Sequence, residues 1–129
     1  DVYKRQLISC QSFGFRNGLP QDADLVFDVR CLPNPYYVPE LKEHDGTEGP
    51  VRDYVMNAPE SHEMLQKLEE LLAFSIPLYQ REGKSQLVVA VGCTGGRHRS
   101  VAIACQLAAY LRSLGYRVEL SHRDKDNRR

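Results

Sequence analysis

Apolar and polar positions fall into a pattern that predicts four strands and three helices in this 129-residue chain. Leu7 to Phe13 mixes apolar and small residues and reads as a first strand. Leu25 to Val29 is short and mostly apolar, as expected of a buried sheet position. Gln86 to Gly92 (Gln-Leu-Val-Val-Ala-Val-Gly) is apolar on both faces and therefore central. Tyr116, Val118 and Leu120 alternate as a last strand. Between these, Pro50 opens a short helix from Val51 to about Asn57, because proline suits the first helical position. Pro59 similarly opens a longer helix, Glu60 to Tyr79, with Met64, Leu68, Leu71, Leu72, Ser75 and Leu78 on one stripe. Ser100 to Leu114 places Val101, Ala104, Leu107, Ala108 and Leu111 in helical register, and Gly115 stops it.

The connections carry their own signals. Gly14 to Asp22 is turn-rich, with Asn17-Gly18 and Leu19-Pro20. Arg30 to Pro50 holds Pro33, Pro35 and Pro39, which prevent a helix and disfavour an interior strand. A loop of that length is usually kept for a functional task. Gln86 to Leu120 forms a βαβ unit, whose crossover is expected to be right-handed. The expected fold is therefore α/β, a small, mainly parallel sheet flanked by helices. Ligands bind such sheets at the carboxyl ends of the strands. Asp28 to Pro39 and Gly92 to Ser100 lie at such ends.

Composition narrows the class. Hydrophobic residues make up 42% and charged residues 26%, which excludes a disordered tail, a collagen-like fibre and a two-domain enzyme. The 17 Lys and Arg balance 17 Asp and Glu, so nucleic-acid contact would have to come from a local patch. No apolar run reaches the roughly 18 residues of a membrane span, and no signal-peptide pattern is present. Cys10, Cys31, Cys93 and Cys105 form no Cys-x-x-Cys pair, so no metal site is expected. They read as reduced thiols of a cytoplasmic protein. Asp1 to Gln6 is a polar stretch without an initiator Met and reads as a linker or non-native leader, the domain proper running from 7 to 129.

The chemistry concentrates in Gly92-Cys93-Thr94-Gly95-Gly96-Arg97-His98-Arg99-Ser100, between the central strand and a helix. Glycines let backbone N–H groups turn inward as an anion nest, and the helix N-terminus adds donors and the positive end of its dipole. Thr94 and Ser100 offer hydroxyls, and Arg97, His98 and Arg99 offer positive or titratable groups. This favours a phosphate; the alternative is a βα corner with solvated basic residues. The loop is neither a Walker A sequence, which needs G-x-x-x-x-G-K-[ST], nor G-x-G-x-x-G. Cys93 to Ser100 does match Cys-x5-Arg-Ser and so resembles cysteine-dependent phosphatases. A thiolate on Cys93 would attack, Arg99 would steady the phosphate, and Asp28 or Asp45 would supply the leaving-group proton. Gly92 stands where those enzymes carry His. Asp28 and Arg30 share one face of their strand and either grip a polar ligand or pair with each other. Asn34, Tyr36 and Tyr37 either line the same cleft or pack the proline-rich loop.

Three motifs in order carry a wider resemblance: Ser12-Phe13-Gly14-Phe15; Asp24 to Arg30 with Leu32-Pro33-Asn34-Pro35; and Gly92 to Ser100. From about residue 9 onward the chain resembles the C-terminal domain of the RNase adapter protein RapZ family, also described as YvcJ-type nucleotide-binding proteins. The resemblance implies a cytoplasmic bacterial protein whose N-terminal P-loop domain, outside this chain, binds and hydrolyses ATP or GTP, with no cofactor in the present domain. It implies a homo-oligomer in full-length form. It also implies a domain that senses glucosamine-6-phosphate and presents small regulatory RNA to an endoribonuclease. By position, phosphate would sit on Cys93, Thr94, Gly95, Gly96, His98, Arg99 and Ser100, with Asp28 and Arg30 on the sugar and Ser85 a further candidate. RNA would meet Arg123, Lys125, Arg128 and Arg129 in the polar tail from His122, where Asp124 and Asp126 dilute the positive charge. A plain oligomerisation module is the remaining alternative.

Overall fold

The computed structural model describes residues 7–127; the leader and Arg128 and Arg129 of the expected RNA patch lie outside the described residues. Strands β1 (Leu7–Gly14), β2 (Leu25–Asp28), β3 (Gln86–Cys93) and β4 (Arg117–His122) and helices α1 (Gly49–Met56), α2 (Pro59–Arg81) and α3 (Arg99–Ser113) follow one another as β1-β2-α1-α2-β3-α3-β4. The strands form one all-parallel sheet in the order β2-β3-β1-β4. The fold is α/β, because a parallel sheet needs helical crossovers such as β3-α3-β4. β3 is interior, as its unbroken apolar run predicts, and β1 lies beside it.

Register explains which residues form the core. Cys10 stands opposite both Val89 and Leu120, and Val89 opposite Leu25. One row of side chains therefore crosses all four strands on one face. Ile8, Leu87 and Val118 make the row before it. Helix α3 lies on β1, β3 and β4 and packs against α1 and α2. Its run from Val101 to Ala104, together with Leu107, Ala108 and Leu111, is fully buried. The opposite sheet face carries Ser9, Gln11, Glu119 and Ser121, all half-buried or exposed.

Three expectations need correction. β2 is an edge strand, not a buried one, and Val26 is exposed; its apolar residues Leu25 and Phe27 face the core from one side only. The buried stripe of α2 runs through Leu68, Leu72 and Ile76. Leu71 and Leu78 face solvent beside Phe74, because the helix packs along a row of four-residue steps and not across a broad stripe. Finally, β4 includes His122, whose Nδ1 lies 2.7 Å from the Ser12 hydroxyl. The segment after it folds back against the end of β1, where the Arg123 N–H donates to the Ser12 carbonyl.

These faces predict a clear contrast. Leu72→Ala, at a side chain with no exposed surface, should lower unfolding free energy by about 2–5 kcal/mol. Leu71→Ala should change it by less than about 0.5 kcal/mol. Urea unfolding of the two variants measures both.

Candidate cleft at the carboxyl ends of the sheet

The loop after β3 and the exit of β1 run against each other with almost no space between them. A side-chain carbon on Gly14 would lie 2.4 Å from the Gly95 carbonyl carbon, and one on Gly96 would lie 2.5 Å from the Gly14 nitrogen. Gly96 also has φ +80°, a conformation that glycine adopts without strain. The Arg16 N–H donates to the Thr94 carbonyl at 3.1 Å, and the Gly14 N–H donates to Asp124 Oδ2 at 2.7 Å. Asp124 is thus a buried structural acceptor and not a solvated diluent of a basic tail. Burial alone would push its carboxyl up, but the Arg123 guanidinium and the Gly14 N–H outweigh it and hold it below the usual range.

The basic side chains of the loop turn out to be ties. Arg97 donates through Nε to the Lys125 carbonyl at 2.9 Å and through its Nη atoms to the carbonyls of Lys42 and Glu43. Arg99, 5% exposed, donates to the carbonyls of Arg30 and Leu32 and reaches the Thr94 hydroxyl at 3.4 Å. Its Nε is buried without a partner. His98 Nε2 sits 3.1 Å from the Lys42 carbonyl; burial, with Arg97 and Arg99 adding to it, lowers its pKa and keeps the ring neutral at neutral pH. All of these carbonyls except that of Lys125 come from the proline-rich loop, so the loop after β3 holds that segment in place.

Around this frame opens a cleft of about 470 Å³. Of the residues nominated from the sequence, Cys93, Thr94, Gly95, His98 and Arg99 line it, as do Asn34, Tyr36 and Tyr37. Gly96 and Ser100 lie beneath, and the buried Cys93 thiol donates to the Ser100 hydroxyl at 3.2 Å. Arg16, Lys42, Glu43, Arg97 and Asn127 complete the lining. Nothing local in the sequence marks Lys42 or Asn127; each arrives through the folding of its segment onto the loop.

Other nominated residues are placed elsewhere. Asp28 and Arg30 form an ion pair at 2.7 Å with both side chains about half exposed, and the guanidinium also covers the Phe15 ring at 4.1 Å. That guanidinium holds the Asp28 carboxyl below its ordinary range. Ser85 is exposed at the start of β3, one strand length or about 26 Å from the loop. Arg123 is committed to Asp124 and the Gly18 carbonyl, and Lys125 faces Asp45 at 3.7 Å and Asp126 at 3.3 Å. Asp45 accepts from the Thr47 N–H and hydroxyl. Burial would raise its pKa, but the Thr47 hydrogen bonds and the Lys125 charge lower it overall. Among the described residues no group of three His, Cys, Asp or Glu side chains is placed to hold a metal ion, and no helix is long and apolar enough to cross a membrane.

The chain is thus an all-parallel α/β domain with a polar, cation-lined cleft at the carboxyl ends of β1 and β3. A sequence model of the RapZ C-terminal domain matches residues 6–126, and the chain belongs to that family. It is 59% identical over 120 residues to a nucleotide-binding protein of Alkaliphilus oremlandii, covering 93% of this chain and 41% of that protein. A nucleotide-binding protein of Geobacter sulfurreducens is 56% identical over 119 residues, 92% of this chain and 42% of the relative. One from Clostridium acetobutylicum is 52% identical over 123 residues, 95% and 42% respectively. The chain therefore spans about two-fifths of the length of these relatives.

Asp124→Asn should lower stability at pH 7 by about 1–3 kcal/mol, through loss of the charged acceptor on Gly14. Because the folded-state pKa of Asp124 is depressed, its contribution is present above the unfolded value near 3.9 and disappears as pH falls through the folded one. The gap between the two proteins should accordingly close below about pH 4. Urea midpoints from pH 7 to pH 3 measure it.

Proposed function

We propose that this domain is a non-enzymatic, cytoplasmic regulatory sensor whose cleft binds an amino-sugar phosphate, glucosamine-6-phosphate being the ligand that the family resemblance suggests. The observation that carries the reading is the convergence on one 470 Å³ cleft of Thr94, Gly95, the N-terminus of α3 and the cations Arg16, Lys42, Arg97 and Arg99. Helix N-terminal donors and guanidinium groups favour a phosphate dianion. Arg97 and Arg99 are already fixed by hydrogen bonds to backbone carbonyls, so these two cations need little reorganisation to meet a ligand. Asp28 and Arg30 would reach the sugar by exchanging their mutual ion pair for ligand contacts.

The phosphatase alternative is chemically less favoured. Its leaving-group acid must hold a proton near neutral pH, whereas the Asp28 and Asp45 carboxyls are both lowered. RNA contact through Arg123, Lys125, Arg128 and Arg129 belongs to the same proposal, as do presentation of that RNA to an endoribonuclease, homo-oligomerisation and ATP or GTP binding by the N-terminal part of the full-length protein. The relatives are named nucleotide-binding proteins, which supports the last. Each phosphate contact on RNA would add about 0.7–0.9 to the salt slope of binding.

Phosphorus NMR of glucosamine-6-phosphate, followed over hours with this chain, tests the reading. The ester signal should shift or broaden without free phosphate appearing, and Arg16→Ala should weaken binding about tenfold. Growth of inorganic phosphate that vanishes in Cys93→Ser would make the domain an enzyme instead. Arg99→Ala is a poor first variant, since it also removes the tie to Arg30 and Leu32 and should lower stability by about 2–4 kcal/mol.

A further inference from the structure

One wall of the cleft is built differently from the rest. Tyr36 and Tyr37 line it while remaining 50% and 79% exposed. Exposed aromatic rings are usually floppy, yet these are braced. Tyr36 and Tyr37 sit in a short 3-10 turn whose first residue is Pro35 and whose N-cap is Asn34, the Asn34 side chain accepting from the Tyr36 N–H at 3.1 Å. Pro33 and Pro39 flank it, restricting the backbone further. Arg97, Arg99 and His98 tie the neighbouring carbonyls of Glu43, Leu32 and Lys42 to the opposite wall. The two rings meet edge to face, with centroids 5.5 Å apart and planes at 87°. Lys42 Nζ stands 4.6 Å over the Tyr36 ring and occupies a face of it, leaving Tyr37 the more open ring of the pair.

A site built only for an inorganic anion has no use for a rigid apolar surface beside its cations. The geometry points to Tyr37 as a stacking platform for the ring of the phosphorylated ligand, and to Tyr36 as the brace that sets its angle. The cleft would then select phosphate monoesters carrying a ring with a flat C–H face, such as a hexosamine pyranose, over acyclic phosphates and free phosphate. A pyranose C–H face against an aromatic ring buries apolar surface on both partners, and the ordering cost is low because the turn is already fixed. This rests on the proposed phosphate-binding role of the cleft and adds to it an apolar contact for the ring face, beside the polar contacts proposed for Asp28 and Arg30.

The test measures binding of glucosamine-6-phosphate, glycerol 3-phosphate, adenosine monophosphate and inorganic phosphate by calorimetry, with wild type, Tyr37→Ala and Tyr37→Phe. Wild type should prefer glucosamine-6-phosphate over glycerol 3-phosphate and phosphate. Tyr37→Ala should weaken the sugar ester about five-fold while leaving inorganic phosphate unchanged, and Tyr37→Phe should retain wild-type affinity. Substituting a side chain this exposed should leave the urea midpoint in place. Full ring preference in Tyr37→Ala would overturn the platform and leave the phosphate cleft standing. Tighter binding of adenosine monophosphate, lost in Tyr37→Ala, would overturn the choice of a sugar ring. No binding of any of the four to wild type would overturn the underlying reading as well.

Discussion

Gly14 and the Gly95-Gly96 pair pass each other at backbone contact, and the rest of the cleft depends on that passage. With no side chain on either strand of chain, the exit of β1 and the loop after β3 approach closely enough for the Arg16 N–H to reach the Thr94 carbonyl. The Gly14 N–H at this crossing is buried, and a buried donor needs an acceptor. Asp124 supplies it from beyond the end of β4. One close contact thereby draws the ends of β1, β3 and β4 together and determines where the last described residues must lie.

The second consequence concerns charge. Four cationic side chains border the cleft, yet Arg97 and Arg99 donate to four backbone carbonyls of the segment after β2, and Arg97 to a fifth at Lys125. A guanidinium bound to neutral carbonyls keeps its positive charge, which still acts on its surroundings: Arg99 helps to lower the Asp28 carboxyl and Arg97 the Asp45 carboxyl. The two arginines can therefore brace the cleft and still contribute a favourable potential for an anion. Asp28 and Arg30 illustrate the opposite case, in which a bidentate carboxylate cancels the charge it holds.

Where sequence reading fell short, distance along the chain is the reason. That Arg97 and Arg99 also brace the cleft is not legible in the glycine-rich loop before the helix, because their carbonyl partners lie up to 69 residues away. Asp124 looks like a solvent-exposed diluent because its partner, Gly14, is 110 residues distant. Ser85 is adjacent in sequence to the strand that feeds the loop, but a strand carries its two ends apart. The stripe on α2 was legible as amphipathic, whereas its rotation depended on which row of side chains met α3.

By itself, the sequence determined what periodicity and local backbone chemistry encode: the interior position of β3, the three helices to within a few residues, the proline-stiffened segment and the glycine loop. Those features depend on neighbours within a turn or two, so they can be read along a line. Tertiary structure alone decided that β2 is an edge, that Arg16, Lys42 and Asn127 join the cleft, and that Asp28 and Arg30 satisfy each other. These depend on strand order and on hydrogen bonds between segments far apart in the chain. Such partners are chosen only when the sheet closes and every buried polar group must find one.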